Sequence, residues 1–279
     1  RLLLIIICST LLWGGITNTP FKIEWFIYAQ TIAYGITCLL GFLLVLRQTK
    51  EFSFKWEFAF SIMILKRSFP FALLILLMAV YYYSDAVMLE RIHPNGNIES
   101  AAYARGYRFF MAANMIGYIF AGLLLPIFSK LLKNNERVDS ILILSLKFLL
   151  GISVTIGLTG FCFQNEIIHW RYEINGEDLQ HSANAFGYLM LSFIAISTTY
   201  IFGTLLTAKG ALKHLNILAF FGVIINIVLN FIMIPESGAE GAALASLITQ
   251  ALTALFQVII ALKLLKISVS ESFNFCKID

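Results

Sequence analysis

The chain has 279 residues, of which 59% are hydrophobic and 13% charged, and its formal net charge is +4. Soluble domains carry about 25% charged residues, so this composition excludes a water-soluble globular protein and indicates an integral membrane protein. The chain opens on Arg1 with a fully apolar stretch from Leu2 to Trp13. The residues from Gly14 to Pro20 fit a secretory cleavage site poorly, so the chain is expected to begin inside a membrane span.

A bilayer core of about 30 Å takes roughly 20 apolar residues in helix. Eight segments qualify in chain order: Leu2 to Thr17, Glu24 to Leu46, Phe69 to Leu89, Ala101 to Leu125, Ser140 to Phe163, Ala185 to Ala208, Leu215 to Ile234 and Gly238 to Leu265. The expected fold is all-α, a polytopic membrane helix bundle of about eight transmembrane helices. Between the second and third lies QTKEFSFKWEFAFSIMIL, with Phe52, Trp56 and Phe60 at helical spacing of four among charges. This stretch reads as an amphipathic helix on the cytoplasmic interface. It divides the chain into residues 1–47 with two spans, the linker 48–66, a six-helix bundle over 67–267 and a tail over 268–279.

Basic residues concentrate in cytoplasmic loops. Arg47, Lys50, Lys55, Lys66 and Arg67 fall in one loop, Lys130, Lys133 and Arg137 in the next on that side, and Lys209 and Lys213 in a third. The tail adds Lys263, Lys266 and Lys277. The opposite loops carry Glu166, Glu173, Glu177, Asp178, Glu236 and Glu240 with the lone Arg171. Alternation places both ends in the cytoplasm, accounts for the net charge by topology, and leaves no role for a nucleic-acid partner.

Charged groups inside spans cost about 2.5 to 3.5 kcal/mol on insertion scales and usually face a bundle interior or a water-filled cavity. Asp85 in YYYSDAVMLE is the clearest case. In the next span, AAYARGYRFF, Arg105 and Arg108 are three apart and share a face. With a hairpin centred on Asn95, Asp85 lies ten residues before the midpoint and Arg105 ten after, so the two reach similar depth and are expected to pair across a basic, hydrated cavity. The alternative is that Asp85 snorkels to the interface while the arginines hold membrane lipid headgroups. Lys147, seven residues or roughly 10 Å into its span, faces either the interior or the interface. Facing inward, it would join Arg105 and Arg108 in a cationic cavity that favours an anionic substrate.

Asn226 and Asn230 lie four apart on one helix face, and Gly238, Gly241, Ala242, Ala245 and Ser246 give the next helix a small-residue face. Both features read as helix packing. Pro126 and Pro235 fall at span ends. Cys8, Cys38, Cys162 and Cys276 form no close pair, and His93, His169, His181 and His214 show no metal-ligand spacing and are expected to be solvated. No metal or cofactor is expected, and no G-x-x-x-x-G-K-[ST] phosphate loop or catalytic constellation occurs. These observations favour a transporter over an enzyme.

SFPFALLILLMAVYYYSDAVML resembles the opening helix of the second bundle of bacterial polysaccharide flippases. AAYARGYRFF with the later LLLPIFSKL is similar to the helix that follows it, and GTLLTAKGALKHLNI with INIVLNFIMIPESGAEGAALASLITQ is the most specific match. The resemblance, to the polysaccharide (O-antigen type) flippases of the multidrug, oligosaccharidyl-lipid and polysaccharide exporter superfamily, spans about Ser68 to Leu265. It implies two six-helix bundles facing a central cavity, with residues 1–47 as the last two helices of the first. It further implies alternating access that moves a lipid-linked, isoprenoid pyrophosphate oligosaccharide across the bacterial inner membrane. Arg105, Arg108 and Lys147 would handle the pyrophosphate, and Asp85 would form a charge pair or couple to a proton or sodium gradient. Polysaccharide assembly proteins are the implied partners. A cation-coupled drug exporter of the same superfamily would prefer an acidic cavity. A polysaccharide polymerase or ligase would carry a large external loop, whereas the longest outer loop expected here, Gln164 to Asn184, has about twenty residues.

Overall fold

The structure is a computed structural model and describes residues 2–13, 23–48 and 57–265. It contains eight helices: α1 (Leu2–Trp13), α2 (Ile23–Gln48), α3 (Phe58–Ile92), α4 (Gly96–Lys133), α5 (Asp139–Cys162), α6 (Gln164–Tyr172), α7 (Glu177–Ala208) and α8 (Leu212–Leu265). No strand occurs among the described residues. Six of the helices, α2, α3, α4, α5, α7 and α8, are long and apolar enough to cross a membrane. The expectation of a polytopic helical membrane bundle is met.

Two compact units are present, Arg1–Ile62 and Met63–Asp279. In the first, α1 packs along α2, and Ala29 and Ala33 are buried.

In the second unit, α8 is a helical hairpin. The helical dihedrals break at Gly238 (φ 50°, ψ −126°), three residues after Pro235. A side chain on Gly241 would meet the Met233 carbonyl, and one on Gly222 would touch Thr253, so the arms run antiparallel and close together. The hairpin supplies the last two of the expected spans, and Gly238 proves to be the conformational break between them. Pro126, by contrast, lies inside α4.

The long central helix α7 packs against α4, α5 and α8. Close approach is possible because α4 presents Gly106 where a Cβ would strike the Phe186 backbone of α7. Two clusters form the core. One, near the α3–α4 turn, gathers Leu89, Tyr103, Phe110, Ile168, Phe186, Phe193, Ile234 and Ala239. The other, near the α7–α8 turn, gathers Leu124, Phe128, Leu142, Leu149, Ile201, Leu205, Leu215 and Ala261. Outside them, Ile119, Leu123, Phe148, Phe231 and Ile232 are exposed, as expected where lipid rather than water is the solvent. Lys130, Lys133, Lys209, Lys213 and Lys263 fall at the α7–α8 end, here termed the basic end; Glu99, Glu173, Glu177, Glu236 and Glu240 fall at the other.

Three boundaries differ from the sequence reading. The expected interfacial linker over 48–66 and the span from Phe69 are, from Phe58 onward, one helix. No helix breaker separates Phe58 from Pro70, and the Asn216 side-chain amide donates to the Pro70 carbonyl at 3.0 Å. The remainder of that linker, 49–56, and the tail lie outside the described residues. The α3–α4 connection is only His93–Asn95. The twenty-residue outer loop is also largely helical: α6 occupies Gln164–Tyr172 and α7 begins at Glu177. Burial of Ile168 in the first core cluster fixes α6 in place.

Candidate functional site

Asp85 sits two turns before the end of α3 and is 2% exposed. Its Oδ2 accepts hydrogen bonds from the Tyr103 hydroxyl of α4 at 2.8 Å and from the Ser246 hydroxyl of the second α8 arm at 2.5 Å. Its Oδ1 accepts from the Asn230 amide of the first α8 arm at 2.7 Å. Four helical segments thus converge on one carboxylate. Around it, the Asn226 Oδ1 lies 3.3 Å from the Asn230 amide nitrogen and accepts from the Ser84 hydroxyl at 2.9 Å. The Tyr81 hydroxyl donates to the Ser246 carbonyl at 3.2 Å.

An ionised carboxylate moved from water into a low-dielectric interior loses several kcal/mol unless donors replace its hydration. Three donors do so here. Asn226 and Asn230 are themselves fully buried, and the Asn230 Oδ1 and Asn226 Nδ2 have no hydrogen-bond partner. The cluster therefore has unused polar capacity beside the carboxylate. Asn226 and Asn230, read from sequence as packing residues, are the groups that hold α3 to α8 at Asp85.

The expected pairing of Asp85 with arginine is not present. Arg105 is half-buried and its Nη1 donates to the Ser182 hydroxyl of α7 at 3.0 Å, while its backbone carbonyl accepts from the Tyr172 hydroxyl at 3.3 Å. Positions two apart on a helix point some 200° apart, and Tyr103 occupies the face turned toward Asp85. Arg108 and Lys147 are both exposed. Arg105, Arg108 and Lys147 are not brought into one cluster with Asp85.

A second polar cluster, missed in the sequence, ties the Gly238 break to α4 and α7. Glu99, 6% exposed, accepts from the Ala239 backbone N–H at 2.7 Å, and His181 Nδ1 lies 3.3 Å from its other oxygen. The break leaves the first N–H groups of the second arm without helical partners, and an acid at a helix N-terminus also complements the macrodipole. A side chain on Gly238 would collide with the Glu99 carboxylate. Alongside, the Asn184 amide donates to Glu240 at 3.0 Å and the Gln164 amide to Asn184 at 3.3 Å. His181 is thus paired with a buried acid rather than simply solvated. The available signal was the PESG sequence, whose exposed N–H groups require an acceptor from elsewhere in the fold.

Next to Asp85, a crevice of about 210 Å³ opens among α3, α7 and both arms of α8. No grouping of His, Cys, Asp and Glu suited to a metal ion occurs among the described residues.

No protein-family model matches the sequence, and no curated protein matches it. Among solved structures, the fold is similar to that of a MOP superfamily transporter from Pyrococcus furiosus, described as having a binding pocket of reverse polarity that suggests a different function. The two share 19% sequence identity with a TM-score of 0.62. The match covers 74% of this chain and 46% of that one, so the chain spans about half the length of the solved transporter whose fold it shares.

Proposed function

We propose that this bundle belongs to a secondary transporter that flips an isoprenoid pyrophosphate-linked oligosaccharide across the bacterial cytoplasmic membrane for surface polysaccharide biosynthesis. A monovalent cation binding at Asp85 drives the cycle. The observation that carries this reading is the burial of Asp85 among Tyr103, Asn230 and Ser246, with no cationic side chain among the described residues as its partner. An intramembrane carboxylate of this kind marks an ion or proton pathway by default.

The oxygen set favours sodium over a proton. Both Asp85 oxygens, the amide oxygens of Asn226 and Asn230 and the hydroxyls of Ser84 and Ser246 are clustered, and small rotations of the two hydroxyls and the Asn230 amide would turn lone pairs rather than hydrogens toward an ion. Binding there would draw α3 and the two α8 arms together, which supplies the differential contact that a ligand needs to shift a conformational equilibrium. The overall fold, shared with a transporter, supports alternating access. The anionic substrate follows from the sequence resemblance, since Arg108 and Lys147 line no common cavity among the described residues, and a drug exporter for cations would instead present its carboxylate to the substrate. The excess of lysines at the basic end supports placing that end in the cytoplasm.

The test is surface polysaccharide delivery in a cell lacking its own flippase, expressing the full-length gene with Asp85→Asn, Arg108→Ala or Lys147→Ala. Delivery should fall at least about tenfold with Asp85→Asn, the loss expected when an essential interaction of about 1.4 kcal/mol or more is removed, and severalfold with either base removed. Sodium binding to the purified protein should vanish in the Asp85 variant. Normal delivery from all three at normal abundance would overturn the proposal.

A further inference from the structure

The crevice beside Asp85 has an unusual lining for a cavity inside an apolar bundle. From α7 it takes Thr199, Gly203, Thr204 and Thr207, and from the second α8 arm Gln250, Thr253 and Gln257. In the first group Thr199, Gly203 and Thr207 recur every four residues with Thr204 beside them, and the second recurs at three and four, so each is one stripe on one helix face. Tyr81 and Tyr82 of α3 close its inner end.

Three observations give the crevice a direction. Thr207 lies in the last turn of α7 and Leu215 in the first turn of α8, so one end of the crevice reaches the α7–α8 turn. Tyr81, Tyr82 and Gln250 at the other end also line the small void that contains Asp85. Between these ends the lining has no charged side chain, and its Thr and Gln stripes face the aliphatic side chains of Leu74, Leu77, Met78 and Ile196.

The Thr204 and Thr207 hydroxyls donate to carbonyls of their own helix, but two of the polar groups are not consumed. Gln257 is 6% exposed, yet its Oε1 has no hydrogen-bond partner, and neither does the Thr199 hydroxyl. Amides and hydroxyls placed in a membrane bundle for helix association hydrogen-bond across helices. The Gln257 oxygen instead lies over Gly203, where a Cβ would sit 3.3 Å from it, so the glycine is what lets the amide approach α7. The two unmet acceptors give an otherwise largely apolar crevice places at which water can be held.

We propose that this crevice is the access route by which a monovalent cation reaches Asp85 from the basic end of the bundle, with Tyr81 and Gln250 as the gate between route and site. The inference rests on the cation-binding reading of Asp85. Uncharged oxygens can relay a partly hydrated cation without trapping it, and no basic side chain lines the route itself. Gln257 and Thr199 are stations on the route, and Tyr81 and Gln250 separate it from the carboxylate. Lys130, Lys133, Lys209, Lys213 and Lys263 at the basic end belong to the surrounding surface and not to its lining.

The experiment separates route from site. In liposomes holding the full protein with its native cysteines replaced by serine, single cysteines are placed at Thr207, Thr253 and Gln250, and a small cationic thiol reagent is added from either side. Cysteines at Thr207 and Thr253 should react from the basic face, and the one at Gln250 more slowly. In parallel, sodium-22 exchange is measured for Gly203→Leu, whose side chain would push the Gln257 amide into the crevice, and for the milder Thr253→Val. An obstruction outside the site changes rates and not the equilibrium constant, so exchange should slow at least tenfold in the first and severalfold in the second, with sodium affinity within twofold of wild type. Labelling from the opposite face alone, or unchanged exchange in both variants, would overturn the route. If Asp85→Asn binds sodium as wild type does, the cation reading of the site fails instead, and the labelling pattern still decides whether the crevice is open to the basic face.

Discussion

The hydrogen bond from Tyr103 to Asp85 offers a direct measure of whether the buried carboxylate is charged. Both residues are 2% exposed and the bond is 2.8 Å long, so Tyr103→Phe removes one donor and leaves the rest of the packing in place. A hydrogen bond to a charged group is worth about 1.5 to 3 kcal/mol in water-soluble proteins. Side-chain hydrogen bonds within membrane bundles average about 0.6 kcal/mol, with a maximum near 1.7, because the unfolded chain in the membrane also finds partners. An ionised Asp85 places this bond at the upper end, so Tyr103→Phe should cost about 1.5 to 2 kcal/mol in the wild-type background. With Asp85→Asn already present, the phenol meets a neutral acceptor and the cost should fall to about 0.6 kcal/mol. The coupling of about 1 kcal/mol exceeds the scatter of roughly 0.3 to 0.5 found for independent sites. Detergent-driven unfolding in mixed micelles at neutral pH, applied to the wild type, both single variants and the double variant, gives the four numbers required. Equal costs in the two backgrounds would refute the reasoning and leave Asp85 as a neutral packing group.

Gly238→Ala should destabilise the bundle by about 1 to 3 kcal/mol, since its dihedrals lie in a region that only glycine adopts readily, and Gly238→Asn should not restore stability because a Cβ meets the Glu99 carboxylate in either variant. Wild-type unfolding of both would show that the break tolerates a side chain. Single cysteines at Asn175 and Asn134, exposed at opposite ends of the bundle, should react with an impermeant reagent from outside and inside the cell respectively. The reverse pattern would invert the proposed orientation.

The sequence by itself determined the fold class and the order of the long spans, because the absence of water in the bilayer leaves helices as the means of satisfying the backbone along long apolar stretches. It also singled out Asp85, Asn226 and Asn230, since polar groups are conspicuous where each is costly. Which groups meet was decided by helical phase and approach distance. Tyr103 faces Asp85 while Arg105, two positions further on, turns toward Ser182, and Glu99 finds its role only where Gly238 of a helix 139 residues later breaks beside it. The stripes that line the crevice were present in the sequence from Thr199 to Gln257, but threonines and glutamines on separate helices have no shared meaning until packing leaves a space between them. Residue type reports the cost of burying a group; only the tertiary structure supplies the partner that offsets it.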